Sequence, residues 1–119
     1  MAEIKLYPRK EFEIILEDGT VIKGQFGTWA LKRFCDKQGY ILSVAAEKLR
    51  SPEIGDIVEY LLACIEYVCK KVPKDFTYND VDCCSWIDEL GGVYSDNVLK
   101  LFRHSGDENP TTEEKKTDS

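Results

Sequence analysis

The sequence is poor in the groups that do chemistry. Its 119 residues include one histidine, His104. Nucleophilic catalysis by serine or cysteine needs a base within hydrogen-bond reach and a third group to orient it. A lone histidine at the end of the last apolar-patterned segment supplies no such set and reads as an exposed structural residue. No run of 18 apolar residues occurs, so no segment reads as a membrane span. The stretch from Met1 to Pro8 lacks the apolar core of a signal peptide. Gly24-Gln25-Phe26-Gly27-Thr28 is the nearest approach to a phosphate-cradling loop, and it is too short and lacks the lysine. Positive charge is also scarce, with 16 Lys and Arg against 22 Asp and Glu, a net charge of −6. That balance weighs against nonspecific binding to nucleic acid or to an anionic membrane. These shortages predict a cytoplasmic, non-enzymatic protein without a cofactor.

Five cysteines are present, Cys35, Cys64, Cys69, Cys83 and Cys84. An odd number without a secretion signal points to reduced thiols rather than a disulfide framework. Their spacing lacks the paired ligands of a zinc site. Cys64 and Cys69 lie about 140° apart around a helix, so buried cysteine acting as a small hydrophobe is the better reading. A metalloprotein using several cysteines and His104 stands as a competing reading. The acids Asp80, Asp82, Asp88 and Glu89 lack the glycine and terminal glutamate of a calcium loop. Asp80 and Asp82 instead suit the positive end of a helix dipole.

Apolar periodicity predicts an α+β domain, an N-terminal β-hairpin packed on a small bundle of about four to five helices. Phe12, Ile14 and Leu16 alternate as in a half-buried strand. Asp18-Gly19 supplies a tight turn, and Thr20 to Phe26 returns as the second strand. A helix from Trp29, capped by Thr28, runs to a stop at Gly39. A short helix over Ser43 to Arg50 turns Val44, Ala45 and Leu49 inward. A central helix begins with Ser51 as cap and Pro52 at its first position. Its stripe of Ile54, Ile57, Val58, Leu61, Leu62, Ile65 and Val68 continues to Lys70-Lys71, where cations suit the dipole and Pro73 stops the helix. A fourth helix, capped by Thr77 or Asn79, places Val81, Cys84, Trp86 or Ile87, and Leu90 on its apolar side before Gly91-Gly92. A weakly amphipathic segment runs from Ser95 to His104. Residues 105–119 contain no apolar side chain, carry five acids and two lysines, and read as a disordered acidic tail beyond a single domain of residues 1–104.

Three stretches carry a family resemblance: Thr28-Trp29-Ala30-Leu31-Lys32-Arg33-Phe34-Cys35 after the hairpin, Gly55-Asp56-Ile57-Val58-Glu59-Tyr60-Leu61-Leu62 in the central helix, and Phe76-Thr77-Tyr78-Asn79-Asp80-Val81 before the next. In this order they resemble the tail assembly chaperones of long-tailed bacteriophages and related prophages, over about residues 11–90. Two departures stand out: Cys35 replaces the acid usual in the first helix, and Cys83-Cys84-Ser85-Trp86 stands where leucines and acids are common. The resemblance implies a non-enzymatic role, coating the apolar helices of the tape-measure protein and helping to recruit tail-tube subunits. It also implies absence from the mature virion.

Apolar residues of the last two helices exceed what one small core readily buries. Trp86, Ile87, Leu90, Val93, Leu99 and Phe102 are therefore candidate partner-binding residues, for helix-in-groove capture or self-association. Complete burial of the six is the alternative. A generic helical adaptor or an antitoxin-like regulatory module would use the same kind of surface.

Overall fold

A computed structural model describes residues 2–106. Strand β1 (Glu3–Leu6) leads through a tight turn at Pro8–Lys10 into β2 (Glu11–Ile15) and then β3 (Val21–Gln25). The helices are α1 (Thr28–Gln38), α2 (Leu42–Arg50), α3 (Ile54–Lys71), α4 (Asp80–Glu89) and α5 (Asp96–Gly106). The architecture is α+β, as the periodicity predicts, and the hairpin gains a third strand. The sheet is antiparallel in the order β1-β2-β3. Ile4 pairs with Ile14, and Ile14 with Ile22, so the alternation puts one isoleucine from each strand on the buried face. Arg9 and Lys10 take φ of 64° and 61° in the turn before β2, a strained conformation for non-glycine residues. The Arg9 carbonyl accepts from Gln25 Nε2 and the Lys10 ammonium donates to the Ser105 carbonyl, at 3.1 and 3.0 Å, which ties the turn to β3 and α5.

α3 is the hub, packed against α1, β3, α4 and α2. The sequence predicts one apolar stripe, but the helix is buried on most sides: Tyr60, Ala63, Cys64 and Cys69 join Ile57, Val58, Leu61, Leu62 and Ile65 in the core. The reason is that the sheet covers one flank while helices cover the others. Ile54, expected in the stripe, is exposed at the first turn, and Val68 is only partly buried. Tyr60 sits between layers, with ring centroids 5.3 Å from both Phe26 and Phe34 and 6.2 Å from Phe102.

Several helix starts differ from the sequence reading. Gly27 precedes α1 and Thr28 is already helical, so Thr28 is not its cap. α3 is capped by Glu53, not by Ser51 with Pro52: Glu53 and Asp56 form a reciprocal capping box. Val44 of α2 is exposed, and Ala45 is the residue that helix buries fully. α4 has the Asn79 cap, with Asn79 Oδ1 accepting from the Asp82 N–H and Asp82 Oδ2 from the Asn79 N–H. Its buried face is Cys83, Trp86, Ile87 and Leu90, while Val81 and Cys84 point outward. That face keeps the helical spacing but is rotated from the expected one. α5 extends through Ser105 and Gly106, two residues beyond the expected end of the last helical segment; residues 107–119, where the sequence predicts a disordered acidic tail, lie outside the described residues.

Candidate docking surfaces

The six candidate partner-binding residues do not share one surface. Trp86, Ile87 and Leu90 lie in the core, with Leu90 1% exposed. Tyr78 closes over the indole of Trp86 edge-to-face at 4.9 Å. This corrects the expectation of a docking patch on α4, because α3 and the α3–α4 linker cover its apolar side. Val93 and Phe102 are partly buried against the same core. Leu99 is the one of the six that is exposed, and Tyr94 stands fully in solvent nearby in the chain. Periodicity could name these residues as apolar, but not which phase of the pattern faces inward.

Three well-exposed aliphatic side chains lie instead on the segments that join α1, α2 and α3. Ile41, Leu42 and Ile54 are 69%, 65% and 58% exposed, with Val44 beside them on α2. This corner is organised by Asp56, the buried charged residue of the described core. Its Oδ1 accepts from Gln38 Nε2 at 3.1 Å and from the Tyr40 hydroxyl at 2.9 Å. Its Oδ2 accepts from the Glu53 N–H at 3.0 Å. One carboxylate thus joins the end of α1, the linker into α2 and the start of α3. Burial acts to raise the Asp56 pKa, but the Glu53 N–H, Gln38, Tyr40 and the nearby Lys48 charge outweigh it, and the carboxyl is held below its ordinary value. The same bond raises the Tyr40 phenol. Gly39, at φ 72°, reverses the chain between α1 and Tyr40, a conformation glycine adopts without steric cost. Ile41 follows Tyr40 and Ile54 precedes Asp56 by two positions, so the exposed apolar side chains are carried on segments that the Asp56 carboxylate ties together.

A polar cleft lies between α1, α3 and the start of α4, about 370 Å³ in volume. Four of its charges are paired across the helices, Arg33 with Glu66 at 3.1 Å and Lys37 with Glu59 at 3.3 Å, and Asp80 adds an acid at the start of α4. Beside it, Trp29 stacks on Tyr67 at 5.8 Å, with Lys70 over the indole and Lys71 over the phenol ring. This small basic–aromatic surface could not be read from the sequence, since its members come from two helices.

Two of the thiols and the histidine are held in packed surroundings. Burial pushes the Cys64 thiol well up and the Cys83 thiol to about 12, which disfavours the reactive thiolate. Cys83 Sγ faces the Val58 carbonyl. His104 is less exposed than expected: its ring lies edge-on to Phe26, and Nε2 is 3.1 Å from the Glu11 carbonyl, fastening α5 to the sheet. Among the described residues, no three His, Cys, Asp or Glu side chains come together as a metal-binding group, and no helix is long and apolar enough to cross a membrane. Comparison with known proteins finds no matching family model, no matching curated protein and no matching solved structure.

Proposed function

We propose that this protein is a non-enzymatic assembly chaperone of the phage tail type, acting in the host cytoplasm. It binds apolar helical surface of the tape-measure protein and helps bring tail-tube subunits to it. The observation that carries this reading is the corner of Ile41, Leu42, Val44 and Ile54. A small domain that holds large aliphatic side chains in water on a braced backbone has a surface suited to capture apolar helices. The order of hairpin and helices, and the resemblance of the first and central helices, supply the phage context. The docking surface is moved from α4 to the α2 corner.

The test is co-expression with the tape-measure protein of the same genome, followed by co-purification. The wild-type chain should be recovered with the tape-measure protein, and Leu42→Ser/Ile54→Ser should lose it while melting within about 4 °C of the wild type, since both positions are exposed. Recovery of no tail component by the wild-type chain would refute the chaperone reading. Undiminished capture by the double variant would refute the corner as its surface.

A further inference from the structure

We propose that the open edge of β3 is a strand-addition site for an extended peptide in which apolar and acidic side chains alternate. The ladder register determines which peptide groups are available. The Leu16 N–H bonds the Thr20 carbonyl at the turn and the Phe26 N–H bonds the Lys10 carbonyl at the other end, at 2.8 and 3.1 Å. Hydrogen-bonded pairs alternate in an antiparallel ladder, so Ile22 and Gly24 bond to β2 while Val21, Lys23 and Gln25 aim their N–H and C=O groups away from it. β3 is the last strand on this side of the sheet. Among the described residues, no backbone bond from another element reaches those three positions.

The edge opens onto a groove. Two adjoining cavities of about 240 and about 360 Å³ share Lys23, Val68 and Val72, and together run between β3 and the last turns of α3. Val72 and Val21 are 61% and 44% exposed here. An added strand presents alternate side chains to opposite faces. Those turned toward α3 meet Val68 and Val72, an apolar surface. Those turned the other way lie beside Val21 and Lys23, which alternate with buried Ile22 and so face outward. Backbone bonds would supply affinity and the groove would supply selectivity.

Charge selects the partner's other residues. Lys23, Lys71 and Lys74 line the groove, and none of them is in an ion pair among the described residues. Lys71 is held toward β3 by donating to Gln25 Oε1 at 2.8 Å. The acids Glu11 and Glu13 sit at the β2 side of the larger cavity, where Glu13 accepts from the Tyr7 hydroxyl. A cationic rim in a chain of net charge −6 favours an acidic peptide. A second copy pairing edge to edge about Lys23 would set like charges opposite each other, which disfavours that occupant.

The probe is a fluorescein-labelled peptide alternating valine and glutamate, compared with one of equal length alternating valine and lysine. Each is titrated by anisotropy against the full chain, with hydrogen exchange locating the contact. The glutamate peptide should bind about tenfold or more tightly than the lysine peptide. It should slow exchange at Val21, Lys23 and Gln25. Lys23→Gln/Lys74→Gln, which removes the charges without setting a second carboxylate opposite Glu13, should weaken it about tenfold while melting within about 4 °C of the wild type, both side chains being exposed. Equal affinity for the two peptides, no binding, or protection elsewhere would overturn the proposal. So would slow exchange of the edge amides before peptide is added: in a dimer it assigns the edge to a second copy, and in a monomer to another part of this chain. Loss of capture at the α2 corner leaves this test unaffected, because the two surfaces share no residue.

Discussion

Replacing Asp56 with alanine should destabilise the fold more than any other polar truncation at the α1–α2–α3 corner. The substitution strips the acceptor from three donors, the Glu53 N–H, Gln38 Nε2 and the Tyr40 hydroxyl. Hydrogen bonds to a charged group contribute about 1.5–3 kcal/mol each. Gln38 and Tyr40 are only partly buried and recover water when the carboxylate is lost, so the three contributions do not add. A net cost of about 2–4 kcal/mol is expected, read as a fall in melting temperature of about 8–16 °C for a domain of this size. Asp56→Asn keeps the shape but sets an amide donor against one of the existing donors, so it should lie between wild type and alanine. The sign of the pH effect follows from the lowered Asp56 pKa. The contribution is fully present above the unfolded value of 3.8 and is lost as pH falls through the lower folded pKa. On acidification through that window the unfolded chain takes the proton first, so the gap between wild type and Asp56→Asn should narrow. The assay is thermal unfolding by circular dichroism across pH 7 to about pH 2. A loss below about 1 kcal/mol for alanine, or a gap that widens with acid, would refute the assignment of Asp56 as the anchor.

Trp86→Ala should cost about 3–5 kcal/mol, as truncation of a packed aromatic does, and urea unfolding would check it; a melting curve like wild type would put Trp86 back on the surface. Gly24→Val should be poorly tolerated, because a Cβ there would lie 2.3 Å from Phe12 Cζ; a loss of about 1–3 kcal/mol in thermal unfolding is expected from the forced repacking. Exposed Cys84 should react quickly with a thiol reagent in the native protein while buried Cys64 and Cys83 react only after denaturant is added; mass mapping of the labelled peptides decides it. Asn79→Ala should lower stability by about 1 kcal/mol through loss of the α4 cap, and rapid amide exchange at Asp82 would accompany it.

Local signals were legible wherever neighbouring residues act on one another. Asp18-Gly19 marked the hairpin, Gly39 the end of α1, and Thr77 or Asn79 the start of α4, of which the fold uses Asn79. β1 was missed because Glu3-Ile4-Lys5-Leu6 is short and its alternation only becomes informative once Ile4 meets Ile14 across the sheet. The α3 cap was misplaced because Ser51-Pro52 is a strong local start signal, whereas Glu53 and Asp56 win through a reciprocal pair that the Asp56 contacts to Gln38 and Tyr40 reinforce. On α4 the apolar residues support two helical phases. The one built on Cys83, Trp86, Ile87 and Leu90 is buried, and no count of apolar positions distinguishes it from the phase through Val81 and Cys84.

By itself the sequence determined the β2–β3 hairpin, the five helices, the α+β class and the scarcity of histidine, because propensity, turn chemistry and composition are properties of short stretches of chain. Tertiary structure alone decided which apolar side chains remain in water and which strand edge stays open. Both depend on what another part of the chain covers. The exposed corner at Ile41, Leu42 and Ile54 and the edge at Val21, Lys23 and Gln25 exist because α2 buries little more than Ala45 and because β3 has a strand on only one side.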